Sequence, residues 1–344
     1  MMRKHAIQAT LLPQLLAEPL LDAAREVAAK YLDQGLAPPD DPSALCSTHW
    51  LPLVEGSWPR APTAAHEPQH AIERAVLEVT VAAARAQLAG RWPSPERSTL
   101  HVQGVEWWLQ EQWPDDEPKE HHTDVVVGLS DDGGSCSHGS PLLSSVLYLS
   151  ATGGPTAVFN QTCPHGEPPR PMLPSAVALA FPSPGSLLLF AGDLVHCVLH
   201  PPPLLATPPT EQAPRRTLLV NFWGVRPPGA ADVLLPSLPP LPPPLCVPAE
   251  TEPEAAAVPA APEPAVLPCA VPFARHQRPW RNQQLPDELG SQACAVLGQA
   301  PSESAVPPCR RMLVIGYAPS APASDGADAA PPPAAEPWKW WRDD

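Results

Sequence analysis

Positive charge is scarce in this 344-residue chain: Lys and Arg total 21 against 36 Asp and Glu, a net charge of −15. A field of that sign repels phosphate backbones and argues against an electrostatic grip on nucleic acid. Long apolar runs are missing as well. No stretch approaches the ~20 residues that a membrane-spanning helix needs, so no membrane span is expected. The eight cysteines include no Cys-x-x-Cys pair. That disfavours a zinc finger and a compact disulfide framework, and leaves reduced thiols in a reducing compartment as the simpler reading. After Met1-Met2-Arg3-Lys4-His5 the apolar stretch is broken by Pro13, Glu18, Pro19 and Asp22, with no small-residue cleavage site. Glu18, Asp22 and Glu26 count against a transit peptide. The expectation is a cytoplasmic or nuclear protein in which the Asn160-Gln161-Thr162 sequon goes unused.

Proline is abundant, at 54 residues, where average usage is about 5%. The prolines cluster, and 44% of the chain is hydrophobic, so a packed body is expected beside Pro-rich segments. Residues 1–99 read as a helical support region. Leu12, Leu15, Leu16, Leu20, Ala24, Val27, Ala28 and Tyr31 recur at helical spacing over 11–32, with Pro19 a point at which that helix would break. A second amphipathic helix is expected over 66–89, ended by Gly90 and Pro93.

From residue 100 to 226 the texture changes to short apolar runs between turn signals. Strands are expected at 100–105, 125–129, 142–149, 157–159, 177–181, 186–190, 194–199 and 217–223, separated by Asp131-Asp132-Gly133-Gly134, Gly153-Gly154-Pro155, Pro182-Ser183-Pro184-Gly185 and Ala191-Gly192-Asp193. About eight strands at this spacing indicate an all-β sandwich or barrel. Residues 227–272 hold 15 prolines in 46 and read as a linker or inserted loop. Residues 273–317 read as an extension whose strand, 311–317, returns to the sheet edge. Residues 318–344 form a Pro/Ala-rich tail ending in Trp338-Lys339-Trp340-Trp341.

Of the twelve histidines, lone ones such as His5, His49, His66, His70 and His276 read as surface residues. His122-Thr123-Asp124 differs, because residues i and i+2 of a strand face the same way. One imidazole and one carboxylate then share a concavity at the start of the Val125-Val126-Val127 run. A second histidine would complete a two-His, one-carboxylate set, which leaves coordination positions open and suits non-haem Fe(II). His196 follows the Gly192-Asp193 turn between two apolar runs and is preferred; His200, on the same strand face, competes with it. Downstream, Arg215-Arg216-Thr217 opens the strand Leu218–Trp223. Arg215-x-Thr217 presents a guanidinium and a hydroxyl to one side, a pair suited to the far carboxylate of a dicarboxylic ligand. A bulge would put Arg216 there instead.

These pieces resemble the Fe(II)- and 2-oxoglutarate-dependent oxygenases, which fold as a double-stranded β-helix, or jelly roll. The resemblance runs in chain order through His122-Thr123-Asp124, then Val146-Leu147-Tyr148-Leu149 with Gly153-Gly154-Pro155-Thr156-Ala157-Val158-Phe159, then the 184–196 hairpin, then Arg215-x-Thr217, and covers about residues 100–224. It departs from the family in the 19-residue separation of His196 from Arg215, commonly nearer ten, and in the long Pro-rich C-terminal region. The resemblance implies Fe(II) on His122, Asp124 and His196, and 2-oxoglutarate as cosubstrate held by Arg215 (or Arg216) and Thr217, with Tyr148 a further contact. It implies dioxygen as oxidant, and succinate and carbon dioxide as co-products of oxidising, most simply hydroxylating, an unknown small molecule or peptide.

The segment Val105–Trp113, with Asp115, Asp116, Glu117 and Glu120 after it, would either line the entrance and favour a basic or peptide substrate or cap the core with its tryptophans. Two other readings stand beside the oxygenase. One is a cupin-like metal enzyme that does not use 2-oxoglutarate. The other is a scaffold that binds proline-motif partners through its Pro-rich region.

Overall fold

The computed structural model describes residues 9–12, 14–33, 48–90, 101–117, 119–129, 136–163, 168–200, 213–232, 265–269, 283 and 312–317. Its strands are β1 (Ala9–Leu12), β2 (His49–Pro52), β3 (Gly104–Gln112), β4 (Val126–Leu129), β5 (Cys136–Gly139), β6 (Leu143–Tyr148), β7 (Thr156–Thr162), β8 (Ala176–Ala180), β9 (Leu187–Ala191), β10 (Leu194–Val198), β11 (Arg215–Trp223), β12 (Ala231–Asp232), β13 (Ala265–Cys269) and β14 (Met312–Tyr317). The two helices are α1 (Glu18–Asp33) and α2 (Ala71–Leu88).

The strands form two main sheets. Seven lie in the order β1-β9-β6-β11-β3-β2-β12 and five in the order β10-β7-β8-β14-β13, with β4 and β5 a separate hairpin. Nearly all pairings are antiparallel. The chain passes from one sheet to the other between β6 and β7, β8 and β9, β9 and β10, and β10 and β11. That alternation makes the double-stranded β-helix, a jelly roll with two flanking helices.

Strand alternation decides what each face of the larger sheet does. Leu143 and Leu147 on β6, Leu187 and Leu189 on β9, Leu218, Val220 and Phe222 on β11, and Val105 and Trp107 on β3 all join one apolar cluster with Leu20, Leu21, Ala24, Val27 and Ala28 of α1 and Ile72, Ala75, Val76, Val79 and Ala83 of α2. Those helix positions recur at i, i+3 and i+4, the stripe a core-facing helix presents. The other sheet face carries Val146, Tyr148, Leu188 and Phe190, which pack with Val158, Ala178 and Ala180 of the second sheet. The helices thus cover one side of the seven-stranded sheet, and the second sheet lies against the other.

Several expectations need correction. Residues 11–12 belong to strand β1, where Leu11 and Leu12 pair with Leu188 and Leu187. Pro19 does not break α1, because it sits in the first turn, where a missing N–H leaves no hydrogen bond unmade. His49 and His70 are buried rather than superficial. The His49 Nε2 and the Tyr31 hydroxyl lie 3.1 Å apart, and its ring stacks on Trp107 at 4.5 Å. Strands from outside 100–226 complete both sheets. Within the Pro-rich 227–272, β12 pairs with β2 and β13 pairs with β14. Pro268 is accommodated in β13 because that strand is at a sheet edge, where a missing N–H breaks no ladder. Met312–Tyr317 form β14, which pairs with β8 on one side and β13 on the other, one place inside the sheet edge at which a strand was expected. The 318–344 tail lies outside the described residues.

Asn160 of the sequon is part-buried, and its side chain clamps the start of β8 through Ser175 and Ala176. Among the described residues Cys197 is a free, buried thiol, and no helix is long and apolar enough to cross a membrane.

Candidate metal centre

His122 and His196 are brought together by backbone. The two residues form an antiparallel bridge in which each amide donates to the other's carbonyl, at 3.0 and 2.9 Å. Their rings lie 4.2 Å apart, centre to centre. Asp124 completes the group: its Oδ1 is 3.7 Å from His122 Nε2 and 3.7 Å from His196 Nε2. One ligand atom from each of the three lies within 4.8 Å of the others. Among the described residues this is the group of His, Cys, Asp and Glu with metal-binding spacing.

The hydrogen bonds around the trio select which atoms face inward. His122 Nδ1 donates to the Glu120 carbonyl at 2.6 Å, and His196 Nδ1 donates to the Leu194 carbonyl at 3.0 Å. Both bonds fix the tautomer with the proton on Nδ1, which leaves each Nε2 lone pair free for a cation. Asp124 Oδ2 accepts from Ser144 Oγ at 3.0 Å and from Asn221 Nδ2 at 3.2 Å. Its other oxygen is left for the cation. Burial alone would raise the Asp124 carboxyl, but His196, His122 and these two donors outweigh it and hold it below the usual carboxylate range. Burial, and then the neighbouring His196, push the His122 imidazole down. His122 is thus held toward the neutral imidazole and Asp124 toward the carboxylate, the forms in which these groups bind a metal.

The expected competitor falls away from this group. His200 lies beyond the end of β10, with its amide bonded to the Gln283 carbonyl. His121 faces elsewhere: its ring packs on Phe159 at 5.2 Å and its Nε2 is 3.8 Å from Cys197 Sγ.

The trio opens on a cavity of about 380 Å³ whose wall also carries Arg215, Thr156 and Leu219. Arg215 is 3% exposed, and its guanidinium donates to Thr156 Oγ1 at 2.9 Å and lies 5.5 Å from the centre of the Tyr148 ring. Tyr148 is fully buried and donates to the same Thr156 oxygen at 2.8 Å. Burial works against the charge on Arg215, and among the described residues no carboxylate pairs with it. Arg215 Nε and Thr217 Oγ1 are both buried without a hydrogen-bond partner. Thr217 is opposite Tyr148 in the ladder and shares a face with Arg215 by the period of two. Arg216 points the other way, where its Nε donates to Glu111 Oε2 at 2.6 Å.

Three residues at the site were missed from sequence. Asn221 shares the face of Arg215 and Thr217, and Ser144 the face of Tyr148, so parity along each strand was the signal available. Thr156 stood inside the Gly-Gly-Pro-Thr segment with no role assigned. The two tryptophans of β3 divide by the same parity: Trp107 is buried against the helices and Trp108 lines the cavity. Trp113, just past the strand, is exposed.

No protein-family model matches the chain, and no curated protein matches it. Among solved structures it is similar to a prolyl-4-hydroxylase of Pseudomonas putida at 16% identity, over 63% of this chain and 94% of that one, with a TM-score of 0.37. HygX of Streptomyces hygroscopicus, solved with nickel and 2-oxoglutarate bound, matches at 14% identity over 65% and 87% of the two chains, TM-score 0.33. An oxidoreductase of the 2OG-Fe(II) oxygenase family from Burkholderia pseudomallei matches at 15% identity over 65% and 89%, TM-score 0.33. The jelly-roll class and the His122-Asp124-His196 group stand on this chain's own geometry.

Proposed function

We propose that the chain is an Fe(II)- and 2-oxoglutarate-dependent dioxygenase. The observation that carries this reading is the buried Arg215, which has no carboxylate partner among the described residues and lines the same cavity as the three converging ligand atoms. An unpaired buried cation is costly, and a bound anion relieves that cost. A metal site alone, as in the cupin-like alternative, has no use for such an arginine. A dicarboxylate that chelates the metal at one end and reaches Arg215 at the other uses both. The two orphaned polar atoms, Arg215 Nε and Thr217 Oγ1, are the donors such a carboxylate would take. The residues therefore fit both the metal and the cosubstrate.

In this reading His122 and His196 offer Nε2 and Asp124 offers Oδ1. Ser144 and Asn221 keep Asp124 turned inward. Thr156 and Tyr148 hold Arg215 in place. Val146 and Leu219 supply apolar wall between the polar groups, which keeps competing water from the metal. Fe(II) with 2-oxoglutarate, when bound there, supplies the oxidising chemistry: one oxygen atom of dioxygen goes to the substrate and the other to succinate, with loss of carbon dioxide. The substrate, small molecule or peptide, is oxidised by hydroxylation in its simplest form.

The test is anaerobic calorimetric titration of 2-oxoglutarate into the Fe(II)-loaded chain, followed by succinate release on admitting air. Saturable binding and succinate release are expected. A chain that binds Fe(II) but never 2-oxoglutarate would hand the assignment to a metal enzyme of another kind. The Pro-rich region plays no part in this reading.

A further inference from the structure

We infer that Glu106 and Trp108, on the cavity wall of β3, recognise a cationic amine on the substrate. The inference rests on the oxygenase reading and names the substrate class for that same cavity. Along β3, Glu106, Trp108 and Gln110 line the cavity, while Val105, Trp107 and Leu109 pack on the helical side. None of the three lining residues is needed to hold the metal or the cosubstrate.

Glu106 is 7% exposed, and among the described residues it has no ion-pair partner, an unusual setting for a carboxyl. Its Oε2 accepts from Trp223 Nε1 at 2.9 Å, and Thr48 supplies a second donor. A carboxylate has about four lone-pair sites, so two donors leave capacity facing the cavity. Burial pushes the Glu106 carboxyl up, and the nearby Asp124 adds to that. The ionised form thus lacks a counter-charge that a bound cation would bring. Trp108 is half-buried beside it, and an indole is the aromatic ring best suited to a cation.

Position supports the role. Glu106 is the ladder partner of Asn221, and Asn221 donates to Asp124. The recognition group therefore lies one strand spacing, about 4.8 Å, from the residue that steadies a metal ligand. A small amine held there places its neighbouring carbons toward the metal. Asp115, Asp116, Glu117 and Glu120 are exposed on the segment between β3 and His122, a field that draws cations toward the opening. Lys119 also lines the cavity but is exposed, so water screens its charge.

The test uses the full-length chain labelled with nitrogen-15 and two probes of matched shape, n-butylammonium and n-butanol. The readout is the Trp223 indole N–H resonance, whose proton is bonded to Glu106. Each titration is run without additions and again with Zn(II) and 2-oxoglutarate. The ammonium should shift that resonance saturably and the alcohol should not. Glu106→Gln keeps an acceptor for Trp223 and should weaken ammonium binding about tenfold or more, as loss of a charged hydrogen-bond partner does. Trp108→Leu should weaken it by roughly fivefold, the scale of a cation–π contact. Equal shifts with both probes, or undiminished binding by a folded Glu106→Gln chain, would overturn the inference. The probe contrast is read on the native chain and does not depend on a variant folding. If Zn(II) and 2-oxoglutarate leave the spectrum unmoved while the ammonium binds, the cosubstrate reading fails and the amine site stands.

Discussion

The two faces of β11 divide the labour of this fold. Leu218, Val220 and Phe222 point to the helices, are wholly buried, and are apolar. Arg215, Thr217 and Asn221 share the other face, from which Arg215 and Asn221 line the cavity, and are almost as deeply buried, and polar. Burying apolar side chains is favourable in itself, whereas burying a guanidinium, a hydroxyl and an amide costs stability unless each finds a partner. Asn221 finds Asp124 and Arg215 half-finds Thr156, while Thr217 has none. One face holds the molecule together, and the other retains unmet polar capacity where a ligand can meet it. A slip of one residue would exchange the faces, and nine consecutive pairings with β3 hold the register against it.

The largest effect expected from breaking this division lies with the ligand carboxylate. Asp124→Ala should abolish Fe(II) binding measured by calorimetry, and His122→Ala should abolish turnover, while thermal melting shows both variants folded. Removing the support instead of the ligand is milder. Asn221→Ala should weaken Fe(II) affinity by about 10- to 100-fold, the usual cost of losing an outer partner of a ligand. The opposite face should behave inversely. Leu218→Ala should cost about 2–5 kcal/mol in denaturant unfolding, as buried Leu-to-Ala changes do, with metal affinity in the folded chain unchanged.

The smallest effect concerns pH. Burial lowers the His49 imidazole, with Glu73 opposing weakly. A histidine whose folded value is depressed takes up protons first in the unfolded chain. Stability should therefore fall as pH drops below the ordinary histidine range near 6.5. His49→Phe should flatten that part of the melting-temperature profile; an unchanged slope would assign it to other groups.

Much of this was legible in the sequence because strands write their geometry with a period of two. Arg215 and Thr217 stand two apart on β11, so their common face followed from spacing, whereas His122 and Asp124 precede β4 and His122 is held by an isolated bridge to His196 rather than by a strand's alternation. The Gly192-Asp193 turn placed His196 on the strand that follows it, β10. What was not legible depended on tertiary partners. Strands β1, β2, β12 and β13 are short, at four, four, two and five residues, and are strands only because neighbours offer an edge. Pro19 looked like a break until α1 was seen to begin at Glu18. The pair Gly153-Gly154 read as a turn, yet its necessity is spatial. A Cβ on Gly154 would lie 1.6 Å from the Leu199 carbonyl oxygen, and one on Gly153 would lie 2.6 Å from Arg215 Cβ. The first glycine, at φ +90°, makes room for the arginine and the second for the strand bearing His196. Ser144, Thr156 and Asn221 are ordinary residues whose roles exist only through what they touch.

The central claim is that the cavity face of β11 was left with an unmet cation for a dicarboxylate to fill. The most direct measurement is 2-oxoglutarate affinity of the Fe(II)-loaded chain under anaerobic conditions, compared for the native sequence, Arg215→Met and Arg216→Met. Losing one partner of a buried charge pair costs about 3–5 kcal/mol, so Arg215→Met should weaken binding by roughly two to three orders of magnitude at 1.4 kcal/mol per tenfold. Arg216→Met, which removes only the pair with Glu111, should leave that affinity within about threefold, and Fe(II) binding should hold in both. Equal losses in the two variants, a loss confined to Arg216→Met, or no 2-oxoglutarate binding by the native chain would contradict the account.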